Sequence, residues 1–363
     1  MLKKTNPHIL YSILDWGLGH ATRSIPIIEE LLLQGARITL CGEGSTGHLI
    51  QSVFPQLPFY TVHGIQVKYP TKIPMSVSMF LQAPKISWAI KSEHQQIKKL
   101  VKELQVDAII SDNRYGAFAD GIPSVIITHQ LNLQTPKNKE WLRPIINKIN
   151  HHYLAPFDEI WVPDSAGENN LTGSLSHDVA TLQKLNPTFI GSLSRFASLS
   201  TEGKYKNYDA IVVLSGPEPQ RSHFEKIIYQ QLKDLPITAI IAKGTPQHPI
   251  QEQRGNCFFS SHISTDEMLF HYINCKYIIS RSGHSTLMDL CAVKKSAICI
   301  PTPGQTEQEF LAEIHSRKKH IVTFEQDQVD LMRGMEMLEL CTPFDLPVNQ
   351  EFKPTIKNFL DRI

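Results

Sequence analysis

Short apolar runs alternate along the chain with stretches whose apolar residues recur at helical spacing, nearly from end to end. That alternation is the pattern of parallel strands joined by crossover helices. In the first half, 8–14, 37–41, 107–111, 124–128 and 159–162 read as strands, and 23–33 as a helix between the first two. Phe189, Ile190 and Gly191 close this half, and a mostly polar stretch at 198–207 follows. The pattern then restarts, with strands predicted at 209–214, 237–242, 277–279 and 296–300. Helices are predicted at about 220–232, 285–292 and 307–316, and the tail 352–362 reads as a last amphipathic helix. The fold class is therefore α/β: two doubly wound, Rossmann-like parallel-sheet domains in tandem, facing across a cleft that is the default ligand site. The N-terminal domain spans 1–193 and the C-terminal domain 194–349.

Composition narrows the function more than the fold. A length of 363 residues suits two domains, and a formal net charge of +1 gives no reason to expect nucleic acid as a partner. The six cysteines show no metal-ligand spacing, and several sit in apolar runs, as reduced buried thiols do. The start of the chain lacks the pattern of a secretory leader, and no run of about 18 apolar residues is present. A cytoplasmic protein is expected, with peripheral contact at the inner membrane face left open.

Three places carry candidate chemistry. The first is the turn from Asp15 to Arg23, with Gly17, Gly19 and His20 between the first strand and its helix. Glycines there let backbone N–H groups approach a ligand at the positive end of a helix, and His20 stands at the mouth of the cleft. The second is Asp112, at the end of a buried strand and so at the same ligand edge. A carboxylate behind an imidazole fixes its tautomer and supports the cation formed on proton uptake. The plain alternatives are a structural histidine and a helix-capping aspartate.

The third place is the most informative. The strand at 277–279 leads into Ser280, Arg281, Ser282, Gly283, His284, Ser285 and Thr286, which open a helix. Small hydroxyl residues and a glycine at a helix start form an anion site. Asp289 follows Ser285 by one turn on the same face, where it can accept from ribose hydroxyls. Gln308 and Glu309, beyond the proline-rich end of the next strand, suit the hydroxyls of a sugar. An ordinary capped helix with a proline-rich loop is the alternative. Ser215 and Gly216 form a turn after the first strand of the second half, and Arg195 stands where the halves join. Either can approach a diphosphate, or be a turn and a surface cation.

The stretch from 258 to about 323 resembles the C-terminal donor-binding half of MurG-type glycosyltransferases, of family 28, which add N-acetylglucosamine to the lipid-linked peptidoglycan precursor. The shared blocks are Ile263 with Asp266 and Glu267 before a helix, the Ser-Arg-x-Gly-x-Ser-Thr run into Asp289, and the polar pair Gln308 and Glu309. The segment 189–195 is similar to that family's interdomain segment. The resemblance implies the GT-B fold, a UDP-sugar donor and a final helix, 350–363, that packs back on the N-terminal domain. It puts the backbone near Ile263 on the base, Asp289 on the ribose, Gly283–Thr286 on the phosphates, and Gln308 and Glu309 on the sugar. Asp289 stands for that family's glutamate and Glu309 for its second glutamine, so the donor sugar need not be N-acetylglucosamine; a hexosamine is one option. The turn Gly-Leu-Gly-His-Ala-Thr-Arg resembles the Gly-x-Gly-His-x-x-Arg turn of predicted bacterial and archaeal transferases and of UDP-sugar hydrolases in the pseudaminic acid pathway. The His20/Asp112 pairing is similar to the dyad of UDP-glycosyltransferases that act on small acceptors. The chain thus reads as a relative of the MurG type and not as the peptidoglycan enzyme.

The expected activity is inverting, metal-independent transfer from a UDP-sugar to a hydroxyl acceptor, in cell-surface glycan synthesis. No cofactor is expected, the nucleotide sugar being substrate. A UDP-sugar hydrolase, a non-hydrolysing UDP-sugar epimerase and a non-catalytic sugar-nucleotide sensor are the alternatives; a set of catalytic carboxylates for the epimerase is not evident. Two N-domain segments, 75–90 and 137–149, place Trp88, Trp141, Ile145 and Ile149 beside lysines and an arginine. They read either as core or as a surface for a lipid-linked acceptor at an anionic membrane.

Overall fold

The computed structural model describes residues 6–65, 75–197, 205–245, 250–346 and 351–363, with the backbone alone at 75–81. The chain forms two compact units, Met1–Leu193 with Val348–Ile363, and Ser194–Pro347.

The first unit is built on β1 (His8–Ile13), β2 (Arg37–Gly42), β3 (Phe59–Thr61), β4 (Ala108–Asp112), β5 (Ser124–Ile127), β6 (Glu159–Val162) and β7 (Thr188–Phe189). All pair in parallel, in the order β3-β2-β1-β4-β5-β6-β7. Helices α1 (Leu18–Leu33), α2 (Gly44–Val53), α3 (Met75–Leu104), α4 (Arg143–Leu154) and α5 (Val179–Leu185) join the strands. Every residue of β1, β4 and β5 is buried, as expected of central strands covered on both faces. The strand order reverses between β1 and β4, with Ile13 opposite Asp112. That reversal opens a crevice at the carboxyl ends of these two strands.

The second unit repeats the plan with β8 (Ala210–Val213), β9 (Ala239–Ala242), β10 (Gln251–Arg254), β11 (Cys257–Ser260), β12 (Tyr277–Ser280), β13 (Ala297–Cys299) and β14 (Ile321–Thr323). Its order is β10-β11-β9-β8-β12-β13-β14, so the reversal falls between β8 and β12. Helices α6 (Gln220–Leu232), α7 (Thr265–Asn274), α8 (His284–Val293), α9 (Thr306–Arg317) and α10 (Leu331–Leu338) flank it. Val212, Phe224, Ile241, Phe259, Ile279 and Ile298 meet in one buried cluster. One departure from a fully parallel sheet is β10, which pairs antiparallel with β11 through a turn where Gly255 has φ 57°.

The last helix, α11 (Phe352–Leu360), belongs to the first unit. Phe359 meets Trp161 edge-on at 5.6 Å, Arg362 donates to Glu159 at 2.5 Å, and Gln34 donates to the Lys353 carbonyl at 3.2 Å. All six cysteines are free, and all but Cys341 are buried. Among the described residues no helix is long and apolar enough to cross a membrane.

The predicted strands are all present, with ends shifted by one or two residues, but β3, β7, β10, β11 and β14 go beyond them. Helices α2, α3, α4, α5 and α10 also go beyond those predicted, and among the predicted helices the largest revision is α1. It starts at Leu18, not at 23, because Gly17 already turns the chain with φ 106° as its N-cap. His20 and Arg23 therefore share a helix face three residues apart.

Candidate active site

At the first unit's reversal, β1 runs out at Ile13 and the chain turns through Asp15, Trp16 and Gly17 into α1. A Cβ added at Gly17 would meet nothing within 4 Å, so the turn itself is uncrowded; its positive φ is what asks for glycine. Gly19 lies inside the first turn of α1. Asp112, the last residue of the neighbouring β4, is fully buried and reaches the same spot. Its Oδ1 lies 2.6 Å from His20 Nδ1. Arg23 grips it from one helical turn further on, donating from Nε to Oδ2 at 2.7 Å and from Nη2 to Oδ1 at 2.5 Å. Ser24 Oγ donates to Oδ2 at 3.2 Å. His129, just past β5, brings Nδ1 to 3.4 Å from Arg23 Nη1. Arg23 is 2% exposed, whereas the His20 side chain keeps 14% of its surface.

Burial alone would raise the Asp112 carboxyl, but the charges of Arg23 and His20 outweigh it and hold the group well below the usual carboxylate range. Burial, followed by the Arg23 charge, pulls His20 below the ordinary 6.5, against the opposite pull of Asp112. The imidazole is thus neutral near pH 7. With Nδ1–H donated to a permanent carboxylate, Nε2 keeps its lone pair as a proton acceptor. Sequence patterning points to His20 and Asp112 but assigns no role to Arg23 or His129, which the structure adds to the cluster. The signals were the i, i+3 spacing of His20 and Arg23, and the place of His129 at a strand's carboxyl end.

At the second unit's reversal, β8 and β12 pair with Val213 opposite Ser280. The turns that follow them, Ser215 with Gly216 and Ser282 with Gly283, leave adjacent strands at the same edge. Gly216 has φ 97°, and a Cβ there would lie 3.5 Å from Thr302 Oγ1, so the loop after β13 runs alongside. Gly283 is the N-cap of α8 and offers no side-chain cap, and a Cβ there would meet open space. Gly283, Ser285 and Thr286 are partly accessible, while Ser282 and His284 are buried. Ser282 Oγ donates to the Gln308 carbonyl at 2.9 Å. Arg281 is buried beneath this edge, its guanidinium 4.0 Å from the centre of the Phe224 ring. It donates to the carbonyls of Gln220 and Pro301 and to Gln326 Oε1, and burial lowers its pKa to about 9. Its work is to tie three loops together at the carboxyl edge.

Ile263 is buried, one residue before Ser264, which caps α7 by accepting from the Glu267 amide. The Gln308 side chain accepts from the Thr302 amide, and Glu309 from the Gly304 amide, both at 2.8 Å, so the pair fastens the loop after β13. Asp289 and Arg195 come together: Ser194 Oγ donates to Asp289 Oδ1 at 2.7 Å, and Arg195 Nε lies 3.4 Å from Oδ2. Burial raises the Asp289 carboxyl despite the arginine.

A cavity of about 1580 Å³ in the first unit opens elsewhere, at the amino ends of β6 and β7, lined by His152, Lys184, Glu159 and Arg362 among others. It holds none of the candidate catalytic or donor-binding residues, though Lys148 and Ile149 line it. Among the described residues no three His, Cys, Asp or Glu side chains converge as a metal ligand set.

Comparison with known proteins bears on both units. Residues 229–329 match the glycosyltransferase family 28 C-terminal domain. A protein of Methanosarcina acetivorans described as an uncharacterized glycosyltransferase is 23% identical over 320 residues, covering 83% of this chain and 79% of that one. Among solved structures, the kitacinnamycin glycotransferase has a TM-score of 0.61 at 15% identity, covering 99% of this chain and 96% of its own. Acinetobacter baumannii MurG has a TM-score of 0.55 at 13% identity, covering 99% of both chains. Arabidopsis thaliana UGT89C1, solved with UDP-L-rhamnose, has a TM-score of 0.58 at 13% identity, covering 99% of this chain and 94% of its own. These structures share the GT-B arrangement of two parallel-sheet α/β domains. With a family 28 C-terminal domain in its second unit and relatives of glycosyltransferase description along most of its length, the chain is a glycosyltransferase of family-28-like GT-B fold.

Proposed function

We propose that this chain catalyses inverting, metal-independent transfer of a sugar from a UDP-sugar to a hydroxyl acceptor. The observation that carries the reading is the 2.6 Å contact of His20 Nδ1 with the buried Asp112 carboxylate, an arrangement that leaves Nε2 to act as proton acceptor. The acceptor oxygen bonds to the anomeric carbon as its proton passes to Nε2, and the bond from that carbon to the diphosphate oxygen breaks with its electron pair leaving on UDP. Attack opposite the leaving group inverts the anomeric centre. Amides at the start of α8 receive the diphosphate, which calls for donors at a helix N-terminus rather than for a metal. Ser215, Gly216 and Arg195 supply further diphosphate contacts, and Asp289 takes the ribose in exchange for Ser194. UDP-L-rhamnose in a similar structure supports a uridine nucleotide.

The test of the donor is calorimetric titration with UDP in the presence of EDTA, followed by a panel of nucleotide sugars. Heat and a thermal shift with UDP in EDTA are expected. Silence at millimolar UDP, alongside binding of another nucleotide, contradicts the donor assignment. Incubation of the bound sugar nucleotide without acceptor separates transferase from hydrolase, since only the hydrolase releases free sugar at the full rate.

A lipid-linked acceptor, met from the cytoplasmic side of a membrane in cell-surface glycan synthesis, is favoured by one surface. Trp141 is 71% exposed, and Ile145 and Ile149 are 54% and 53% exposed, so this stripe of 137–149 faces away from the core that buries Asn147. These three residues stand four apart along consecutive helical turns, interleaved with Lys139, Arg143 and Lys148. An apolar stripe between cations suits the headgroup region of an anionic bilayer. Trp88, also 71% exposed, offers a second contact from α3, while Phe80 and Leu81 of the predicted segment lie outside the described side chains.

A further inference from the structure

We propose that Arg23 is the positioning residue of this centre: its guanidinium holds both oxygens of Asp112, so that the carboxylate presents a fixed acceptor to the Nδ1 proton of His20. The proposal rests on His20 serving as the base. Its ground is geometric. Arg23 reaches Asp112 from the same helix that carries His20, and two of its nitrogens meet the two carboxylate oxygens at 2.7 and 2.5 Å. Such a fork fixes the plane of the carboxylate, which a single point contact leaves free to rotate. Both groups are buried, so the pair is fixed by packing as well as by charge.

The same nitrogen that holds Oδ1 lies 3.0 Å from His20 Nδ1. A guanidinium there cannot accept a proton, so the only acceptor among these contacts for Nδ1–H is Asp112. The tautomer with Nε2 free follows from the 2.6 Å contact with Asp112, where an unprotonated Nδ1 would face a carboxylate lone pair, and Arg23 holds that oxygen in place. The alternative tautomer would turn Nδ1 into an acceptor for Arg23 and aim a proton, not a lone pair, away from the carboxylate. Arg23 also opposes protonation of the ring, as a like charge does, and Asp112 favours it. Among the described residues, the charged and titratable groups that act on this point include Arg23 on α1, Asp112 on β4 and His129 after β5, with Tyr11 of β1 acted on by Asp112. Arg23 is the one among them that touches Asp112, His20 and His129.

The test uses the full chain with isotope-labelled histidine, and two variants. Nitrogen NMR of the wild type should show neutral His20 protonated at Nδ1. Arg23→Met removes fork and charge; the His20 titration point should rise by about one unit or more, and the acid limb of kcat/KM with it. Arg23→Lys keeps the charge and loses the fork; the titration point should stay close to that of the wild type, while kcat falls about 10- to 100-fold with donor KM unchanged. Wild-type kcat in Arg23→Lys, or a wild-type titration point in a folded Arg23→Met, would overturn the proposal; should Arg23→Met fail to fold, the kcat of Arg23→Lys decides. Undiminished turnover in His20→Ala would instead overturn the base assignment and leave the titration result standing.

Discussion

Each unit buries an aspartate beside the point where its strand order reverses, and each sets that aspartate against an arginine. The outcomes are opposite. Asp112 meets Arg23 through two short contacts and has His20 on the same oxygen, so the charges overcome burial and the carboxyl stays ionised. Asp289 meets Arg195 through one contact at 3.4 Å and a neutral hydroxyl at 2.7 Å, and burial prevails. Both carboxyls are largely buried, so the unequal partner geometry is what holds one well below its ordinary value and leaves the other above it. The first arrangement suits a base that must hold its orientation through a reaction. The second suits a contact made only when donor arrives.

The largest difference should appear on replacing each by asparagine. Asp112→Asn strands Arg23 and unsettles His20, so turnover should fall about 10²- to 10⁴-fold and stability by about 3–5 kcal/mol. Asp289→Asn keeps an acceptor for Ser194 and relieves a disfavoured charge, so its stability at pH 7 should hold or rise. Urea midpoints and saturating turnover of the two variants check this, and equal stability losses would erase the distinction.

Next comes donor affinity. Asp289→Asn should weaken UDP binding by about tenfold, about 1.4 kcal/mol, through poorer hydrogen bonds to the ribose. Asp112→Asn should leave UDP affinity within about twofold, since on this account the nucleotide contacts lie in the second unit. Calorimetry decides between them, and a tenfold loss in Asp112→Asn would show that the nucleotide depends on the first unit.

Smaller effects follow from pH. His20 has a lowered pKa, so the acid limb of kcat/KM should fall below 6.5, unmoved in Asp289→Asn. For stability the two carboxyls have opposite signs. Asp112 is lowered on folding, so its contribution is full above 3.8 and is lost as pH falls through its folded value. Asp289 is raised, so its burden on stability appears as pH rises through 3.8 and is relieved on acidification. Between pH 7 and 3 the gap in urea midpoint between wild type and Asp112→Asn should therefore stay constant down to about 3.8 and only begin to narrow below it.

The smallest effect on turnover is expected at the exposed stripe. Trp141→Ala should leave turnover of a soluble acceptor unchanged, yet weaken co-sedimentation with anionic vesicles at low salt. Absence of vesicle binding by the wild type at any salt would remove the lipid-acceptor reading.

The central strands were legible because they are continuous apolar runs, buried on both faces, and His20 and Asp112 because each follows or ends such a run. The edges were not. β10 is wholly exposed and polar, and β7 is two residues long, so neither has an apolar signature. Arg23 was visible as a letter in the turn motif, but its role needed the true start of α1 at Leu18, which brings it one turn above His20. The partnership of Asp289 with Ser194 and Arg195 spans about a hundred residues and has no local pattern at all. For 137–149, apolar residues at helical spacing fit a core and a surface stripe equally well, and only their exposure separates the two.

His20→Ala tests the division of labour most directly, measured as UDP binding in EDTA and as sugar transfer on the same preparation. The account predicts UDP affinity close to that of the wild type, with transfer lower by about 10²- to 10⁴-fold. Full transfer by His20→Ala would contradict it, whatever the affinity for UDP.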